Sequence, residues 1–90
     1  EKAKEVEEYK KLVSQQGLKV PIIASVFAST AQQFGEAAEI IARAQPDAIE
    51  LDESCPNVED EYGSLFCLSE KNAAKAVEEA RARVPKNIPI

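Results

Sequence analysis

Residues 50–57, Glu-Leu-Asp-Glu-Ser-Cys-Pro-Asn, place three carboxylates, a hydroxyl, a thiol and an amide in one short segment. A thiol has an ordinary pKa of about 8.5, so partial deprotonation lets Cys55 act as a base near neutral pH. Asp52 and Glu53 are neighbours at a strand end and point to opposite faces, which favours separate roles over joint acid–base chemistry. From residue types alone, a small buried thiol is the commoner alternative for Cys55.

The charge and composition exclude several classes of partner. The net charge is −5, with 16 acids against 11 bases, which is unfavourable for binding nucleic acid. No apolar run approaches the roughly 18 residues of a membrane span. The chain has no histidine and no Cys-x-x-Cys pair, so a metal site is improbable. Two cysteines without a secretory signal indicate free thiols in a reducing cytoplasm.

Other polar residues have simpler explanations. Glu50 lies inside a strand pattern whose neighbours point the other way, so we expect it to face the opposite side of the sheet from Ile49 and Leu51 and to form a structural salt bridge. The acidic run 59–61 lacks the ligand spacing of a calcium loop and indicates a solvated surface. Cys67 has no functional context and is predicted to be a packed apolar thiol.

Hydrophobic periodicity divides the chain into alternating elements. Apolar residues at helical spacing predict helices over 2–16 and 31–44 and a third helix that begins after Ser69 and stops at Pro85. Gly17 is a plausible helix end, and Thr30 with Gln33 is a capping-box pattern. Apolar runs predict strands over 20–26 and 47–51 and the start of a strand at 88–90, with a polar loop over 53–68.

The order α-β-α-β-α-β indicates βαβ units in a parallel sheet, and the first strand is apolar enough to have helices on both faces. The long loop follows the carboxyl end of the second strand, where parallel α/β folds place their sites. Because the sequence starts inside a helix pattern and stops inside a strand pattern, we expect residues 1–90 to be one segment of a larger α/β domain.

The strand-and-loop pattern Glu-Leu-x-x-Ser-Cys-Pro-Asn resembles the signature of the dihydroorotate dehydrogenases, and the cysteine is typical of their cytosolic class. Residues 21–26, Pro-Ile-Ile-Ala-Ser-Val, are similar to the family's preceding strand, and 63–70 is similar to its glycine-containing loop. The resemblance covers most of residues 20–90. It implies a (β/α)8 barrel, flavin mononucleotide (FMN) as cofactor and dihydroorotate as substrate in pyrimidine biosynthesis.

The resemblance also implies roles for individual residues. Cys55 matches the catalytic base that takes a proton from C5 of dihydroorotate while C6 gives a hydride to the flavin. Asn57 matches an asparagine that hydrogen-bonds the substrate, and an amide suits a pyrimidine edge because it both donates and accepts. Ser25 stands where the family often has an asparagine that contacts FMN. Asp52 stands at the asparagine that bridges flavin and substrate.

Asp52 is the main departure from the family pattern. An aspartate loses the amide donor and adds negative charge beside the anionic orotate, which is unfavourable unless the group is protonated or paired. Ala28 and Cys67 replace family glycines. The family's phosphate-binding loops and catalytic lysine lie outside these 90 residues, so we expect the isolated segment to be inactive.

Other interpretations stay open. One is another flavin barrel, either a dihydropyrimidine dehydrogenase-like domain or a tRNA dihydrouridine synthase, which usually has glycine where this chain has Ser54. The other is a catalytically silent α/β fragment, which Asp52 favours. For the enzyme, the expected partners are a small pyrimidine and the remainder of the barrel. A homo-oligomer is also compatible with the sequence.

Overall fold

A computed structural model describes residues 2–54 and 68–90 as three helices and a small sheet. The elements in chain order are helix α1 (Lys2–Gln15), strand β1 (Ile23–Val26), helix α2 (Ala31–Ala42), strand β2 (Ala48–Leu51) and helix α3 (Glu70–Arg83). The strands are parallel, with Ile23 opposite Ala48 and Val26 opposite Leu51. The predicted α/β class and the βαβ unit built from β1, α2 and β2 are therefore confirmed.

Short-range signals end α1 as the sequence predicts. Gly17 has a φ of +69°, the left-handed region that glycine adopts without a Cβ penalty. The Gly17 N–H donates to the Ser14 carbonyl at 3.0 Å, and the Leu18 N–H donates to the Val13 carbonyl at 3.0 Å. This pair of bonds is a Schellman motif, which satisfies carbonyls at the end of the helix.

The two later helices begin at the hydroxyl residues expected from the sequence. Thr30 Oγ1 accepts from the Gln33 N–H at 3.1 Å at the start of α2. The Gln33 side chain returns to the backbone N–H of Ser29 at 3.3 Å, one residue earlier than in a standard capping box. Ser69 Oγ accepts from the Asn72 N–H at 3.2 Å at the start of α3. Both hydroxyls satisfy helix N–H groups that have no partner within the helix.

The core lies between the helices and one face of the sheet. Helix α2 and helix α3 pack against each other, and Phe34 and Ala76 are fully buried between them. The larger buried cluster is built from small and branched side chains: Val6, Ala24, Val26, Ala38, Ile41, Ala42, Ala44, Ile49, Ala80, Val84 and Ile88. Two apolar residues at helical spacing remain largely outside this core, since Tyr9 of α1 is 49% exposed and Val77 of α3 is 46% exposed.

The sheet has one covered face and one open face among the described residues. Ala24, Val26 and Ile49 point toward the helices and are buried. On the opposite face Ile23 is 66% exposed, Glu50 is exposed and Ser25 is half-buried. The expectation that helices cover both faces of β1 is wrong for this part of the chain, because the described helices pack on one side only.

The predicted third strand at residues 88–90 is not formed as a strand in the described chain. This segment instead has one sheet-like bond, from the Ile49 N–H to the Pro89 carbonyl at 2.9 Å. Proline has no N–H, so Pro89 can accept in a ladder but cannot donate. The Arg81 guanidinium fixes the preceding turn by donating to the carbonyls of Val84, Pro85 and Ile88 at 3.2, 2.6 and 2.9 Å. The segment therefore lies beside β2 without extending the sheet.

Candidate active site at the carboxyl edge of the sheet

Two of the four predicted site residues, Ser25 and Asp52, lie at the carboxyl edge of the sheet. Since β1 and β2 are parallel, their carboxyl ends lie side by side, and Ser25 and Asp52 come from these two ends. The Asp52 N–H donates to the Val26 carbonyl at 2.8 Å, so the ladder continues one residue beyond β2. This bond fixes the backbone from which residues 53–67 depart.

Ser25 and Glu50 form a hydrogen-bonded pair on the open face of the sheet. They are register partners in β1 and β2, and Ser25 Oγ donates to Glu50 Oε1 at 2.8 Å. The expectation of a salt bridge for Glu50 is wrong among the described residues, where its partner is a hydroxyl and the one ion pair joins Arg83 to Glu79. The reason is the register, because Ser25 stands directly opposite.

The Asp52 carboxylate organises the start of the loop. Its Oδ1 accepts from the Ser54 N–H at 3.2 Å and from Ser54 Oγ at 3.4 Å, which is an Asx turn. An asparagine could accept the same bonds through its amide oxygen. The turn therefore explains an Asx residue at this position, and the negative charge is an additional property of this chain.

At this edge, the carboxyl group of Glu53 is partly removed from solvent. Its Oε1 is buried without a hydrogen-bond partner among the described residues, although the residue as a whole is half-buried. Burial desolvates this carboxyl and raises the pKa of Glu53 above its ordinary value. Sequence reasoning placed Glu53 on the opposite face from Asp52 but had no signal for its burial, which depends on tertiary packing.

The predicted base Cys55 and the predicted substrate ligand Asn57 lie outside the described residues, and so do Cys67 and the acidic run 59–61. The structure does place both ends of their segment. Ser54 leaves the carboxyl edge of β2 in the Asx turn, and Ser69 caps the helix that follows. The geometry thus fixes where the segment starts and ends, and the roles of Cys55 and Asn57 stay predictions.

The polar side chains at this edge can form hydrogen bonds with part of a flavin. Glu50 and Asp52 offer carboxylate oxygens and Ser25 offers a hydroxyl, which can pair with N–H and O–H groups of the ring and the ribityl chain. Exposed Ile23 lies on the same open face but at the amino end of β1, away from this edge. Lys2 Nζ donates to the Ser25 carbonyl at 3.2 Å, and its ammonium group has two further N–H donors.

The described ranges contain neither a membrane-spanning helix nor a cluster of metal ligands. None of the helices within 2–54 and 68–90 is long and apolar enough to cross a membrane. In the same ranges, no group of three or more His, Cys, Asp or Glu side chains is placed to hold a metal ion.

Comparison with known proteins agrees with the motif. The chain is 46% identical over 54 residues to dihydroorotate dehydrogenase B (NAD+), catalytic subunit, of Methanosarcina acetivorans, a match that covers 57% of this chain and 17% of that protein. The resemblance to dihydroorotate dehydrogenases is confirmed. The protein of the same name from Methanosarcina mazei is 48% identical over 46 residues, which covers 51% of this chain and 14% of that protein.

The matched segment is thus a small part of each relative's length. No family profile matches the chain, and no solved structure gives a significant match. The chain is therefore similar to one portion of a dihydroorotate dehydrogenase B catalytic subunit, and the described βαβ unit is compatible with such a portion.

Proposed function

We propose that this chain is part of a flavin-dependent dihydroorotate dehydrogenase that oxidises dihydroorotate to orotate. The observation that carries the proposal is the position of Ser54, the first residue of the Ser-Cys-Pro-Asn motif, which follows the carboxyl edge of a parallel strand beside Ser25 and Asp52. Parallel α/β enzymes place their sites at this edge. Similarity to two dihydroorotate dehydrogenase B catalytic subunits supports the same activity.

In this proposal the sheet is one portion of a (β/α)8 barrel. The open face with Ser25 and Glu50 would face the barrel interior, and residues 88–90 would lead into the strand next to β2. That placement is supported by the bond from the Ile49 N–H to the Pro89 carbonyl, which lies on the edge of β2 away from β1. Further strands and helices from the rest of the protein would complete the barrel.

Cys55 would act as the base. Its thiolate would take the proton from C5 of dihydroorotate, and a thiol can do so near neutral pH because partial deprotonation is enough. Asn57 would hold the pyrimidine by donating and accepting hydrogen bonds at its edge. When bound, FMN supplies a two-electron acceptor. A base that must stay reduced fits the cytoplasm, which we propose as the location.

Asp52 and Ser25 would contact the two ligands from the strand ends. The Asp52 carboxylate accepts only, so it would pair with a ring N–H of the substrate or of the cofactor. Ser25 would contact the cofactor from β1. Since the relatives are named as NAD+ enzymes and as catalytic subunits, we propose NAD+ as the final electron acceptor and a further subunit as a partner.

The test uses the whole protein that contains this chain, loaded with FMN and kept without oxygen. Adding dihydroorotate should bleach the flavin absorbance within one turnover, and NAD+ should restore it when all subunits are present. A protein that binds FMN but is not bleached by dihydroorotate would contradict the proposed substrate. A protein that does not bind FMN would contradict the enzyme class.

A further inference from the structure

The Ser25–Glu50 pair has a chemical consequence that the proposed roles do not use. A carboxylate has acceptor oxygens and no proton to give, so the hydroxyl must be the donor in the 2.8 Å bond between them. A hydroxyl has one proton and two acceptor lone pairs. With its proton directed to Glu50, the Ser25 oxygen can only accept from any other group.

The strand register and one contact from α1 hold this pair in place. Ser25 and Glu50 face each other in register across the parallel pair. The Ser25 carbonyl also accepts from Lys2 Nζ at 3.2 Å, so α1 contacts β1 at the same residue. The pair is accessible, since Ser25 is half-buried and Glu50 is exposed on the face that the described helices leave open.

From this geometry we infer that Glu50 is a positioning residue that makes the Ser25 hydroxyl an acceptor for a hydrogen-bond donor of the bound flavin. The inference rests on the proposed function, because FMN is the ligand. It also explains how a serine can serve where the resembling family often has an asparagine. The amide offers both polarities, whereas the serine offers one, selected by Glu50.

A double-mutant cycle in FMN binding to the whole apoprotein tests the inference. Ser25→Ala should weaken FMN binding about tenfold, which corresponds to about 1.4 kcal/mol and is typical of one hydrogen bond. Glu50→Ala should weaken it similarly when Ser25 is present. In the Ser25→Ala background, Glu50→Ala should add almost nothing, because Glu50 acts through Ser25.

Two further variants separate positioning from a general structural effect. Glu50→Gln keeps an acceptor oxygen and should retain most of the FMN affinity. Glu36→Ala removes an exposed carboxylate on α2, which accepts from Gln32 Nε2 at 3.0 Å, and should leave FMN binding unchanged. Circular dichroism melting of every variant shows whether lost affinity reflects lost folding.

The outcomes distinguish this inference from the proposed function. If Glu50→Ala weakens FMN binding equally with and without Ser25, or if folded Ser25→Ala binds as tightly as the wild type, the inference is wrong. The proposed function would survive that result, provided that dihydroorotate still bleaches the wild-type flavin. A wild-type protein that does not bind FMN would overturn both.

Discussion

At the scale of single residues, Asp52 separates this chain from the pattern it resembles. Its carboxylate makes the Asx turn with Ser54, which an asparagine could make equally well. What the aspartate adds is a negative charge at the edge where an anionic substrate is proposed to bind. A like charge at close range is unfavourable in a site of reduced dielectric.

Replacing Asp52 with asparagine should therefore improve the proposed reaction. In the whole protein, Asp52→Asn should lower the KM for dihydroorotate about tenfold, because a repulsion of about 1.4 kcal/mol is removed and the turn is kept. The wild-type KM should also fall with added salt, which screens the repulsion, whereas the variant should respond less. Steady-state kinetics at two ionic strengths would check this, and a raised KM in Asp52→Asn would show that the charge assists binding.

Glu53 gives a prediction about pH. The pKa of Glu53 is raised in the folded chain, so the unfolded chain releases this proton more readily. The folded state therefore loses stability as the pH rises from the ordinary glutamate pKa toward the raised pKa. Below that window the carboxyl is neutral in both states and has no such cost. Glu53→Gln should consequently increase the free energy of unfolding at pH 7, and the gain should vanish as the solution is acidified below about pH 4.

Denaturant unfolding of the whole protein across this pH range measures the effect. Glu36→Gln is the matched control for the same change of side chain at an exposed position of α2. A Glu53→Gln protein that is less stable than the wild type at pH 7 would show that the carboxylate has a stabilising partner.

At the scale of elements, Gly35 sets how closely α2 and α3 pack. Glycine weakens a helix by about 1 kcal/mol relative to alanine, so Gly35 lowers the helix propensity of α2. In the structure, a Cβ at this position would stand 3.0 Å from Glu79 Cβ and 2.9 Å from Arg83 Nε. The missing side chain therefore gives α3 room to approach.

Gly35→Ala should be destabilising despite its better helix propensity. Overpacking costs about 1–3 kcal/mol and the propensity gain is about 1 kcal/mol, so we expect a net loss of about 1 kcal/mol. The cost should be smaller in an Arg83→Ala background, where one of the two close neighbours is gone. Thermal unfolding of the four proteins checks this, and a stabilised Gly35→Ala single variant would refute close packing at this residue.

The helices and strands also show which features the sequence could predict and which it could not. The helix ends at Gly17, Thr30 and Ser69 depend on groups a few residues away, so their patterns predicted them. The partner of Glu50 depends on the register of two strands, which is set by tertiary pairing and not by local sequence. The segment 88–90 has strand-like composition, yet a single bond holds Pro89 beside β2.

At the scale of the whole molecule, the proposed barrel has to account for the open face of the sheet. The described residues form a βαβ unit with helices on one side, and the matched segment covers 17% and 14% of the two relatives. A two-stranded sheet is marginal by itself, and parallel sheets are normally covered on both faces. A barrel completed by the rest of the protein would cover this face and enclose Ser25 and Glu50.

We propose that the motif around Cys55 carries the base for dihydroorotate oxidation. The most direct measurement is the single-turnover rate at which dihydroorotate bleaches bound FMN in the whole protein, compared between Cys55→Ala and Cys67→Ala. We predict that Cys55→Ala binds FMN normally but is bleached at least about 100-fold more slowly, as expected for loss of a general base, while Cys67→Ala reacts like the wild type. Equal bleaching rates in the two variants would contradict the account.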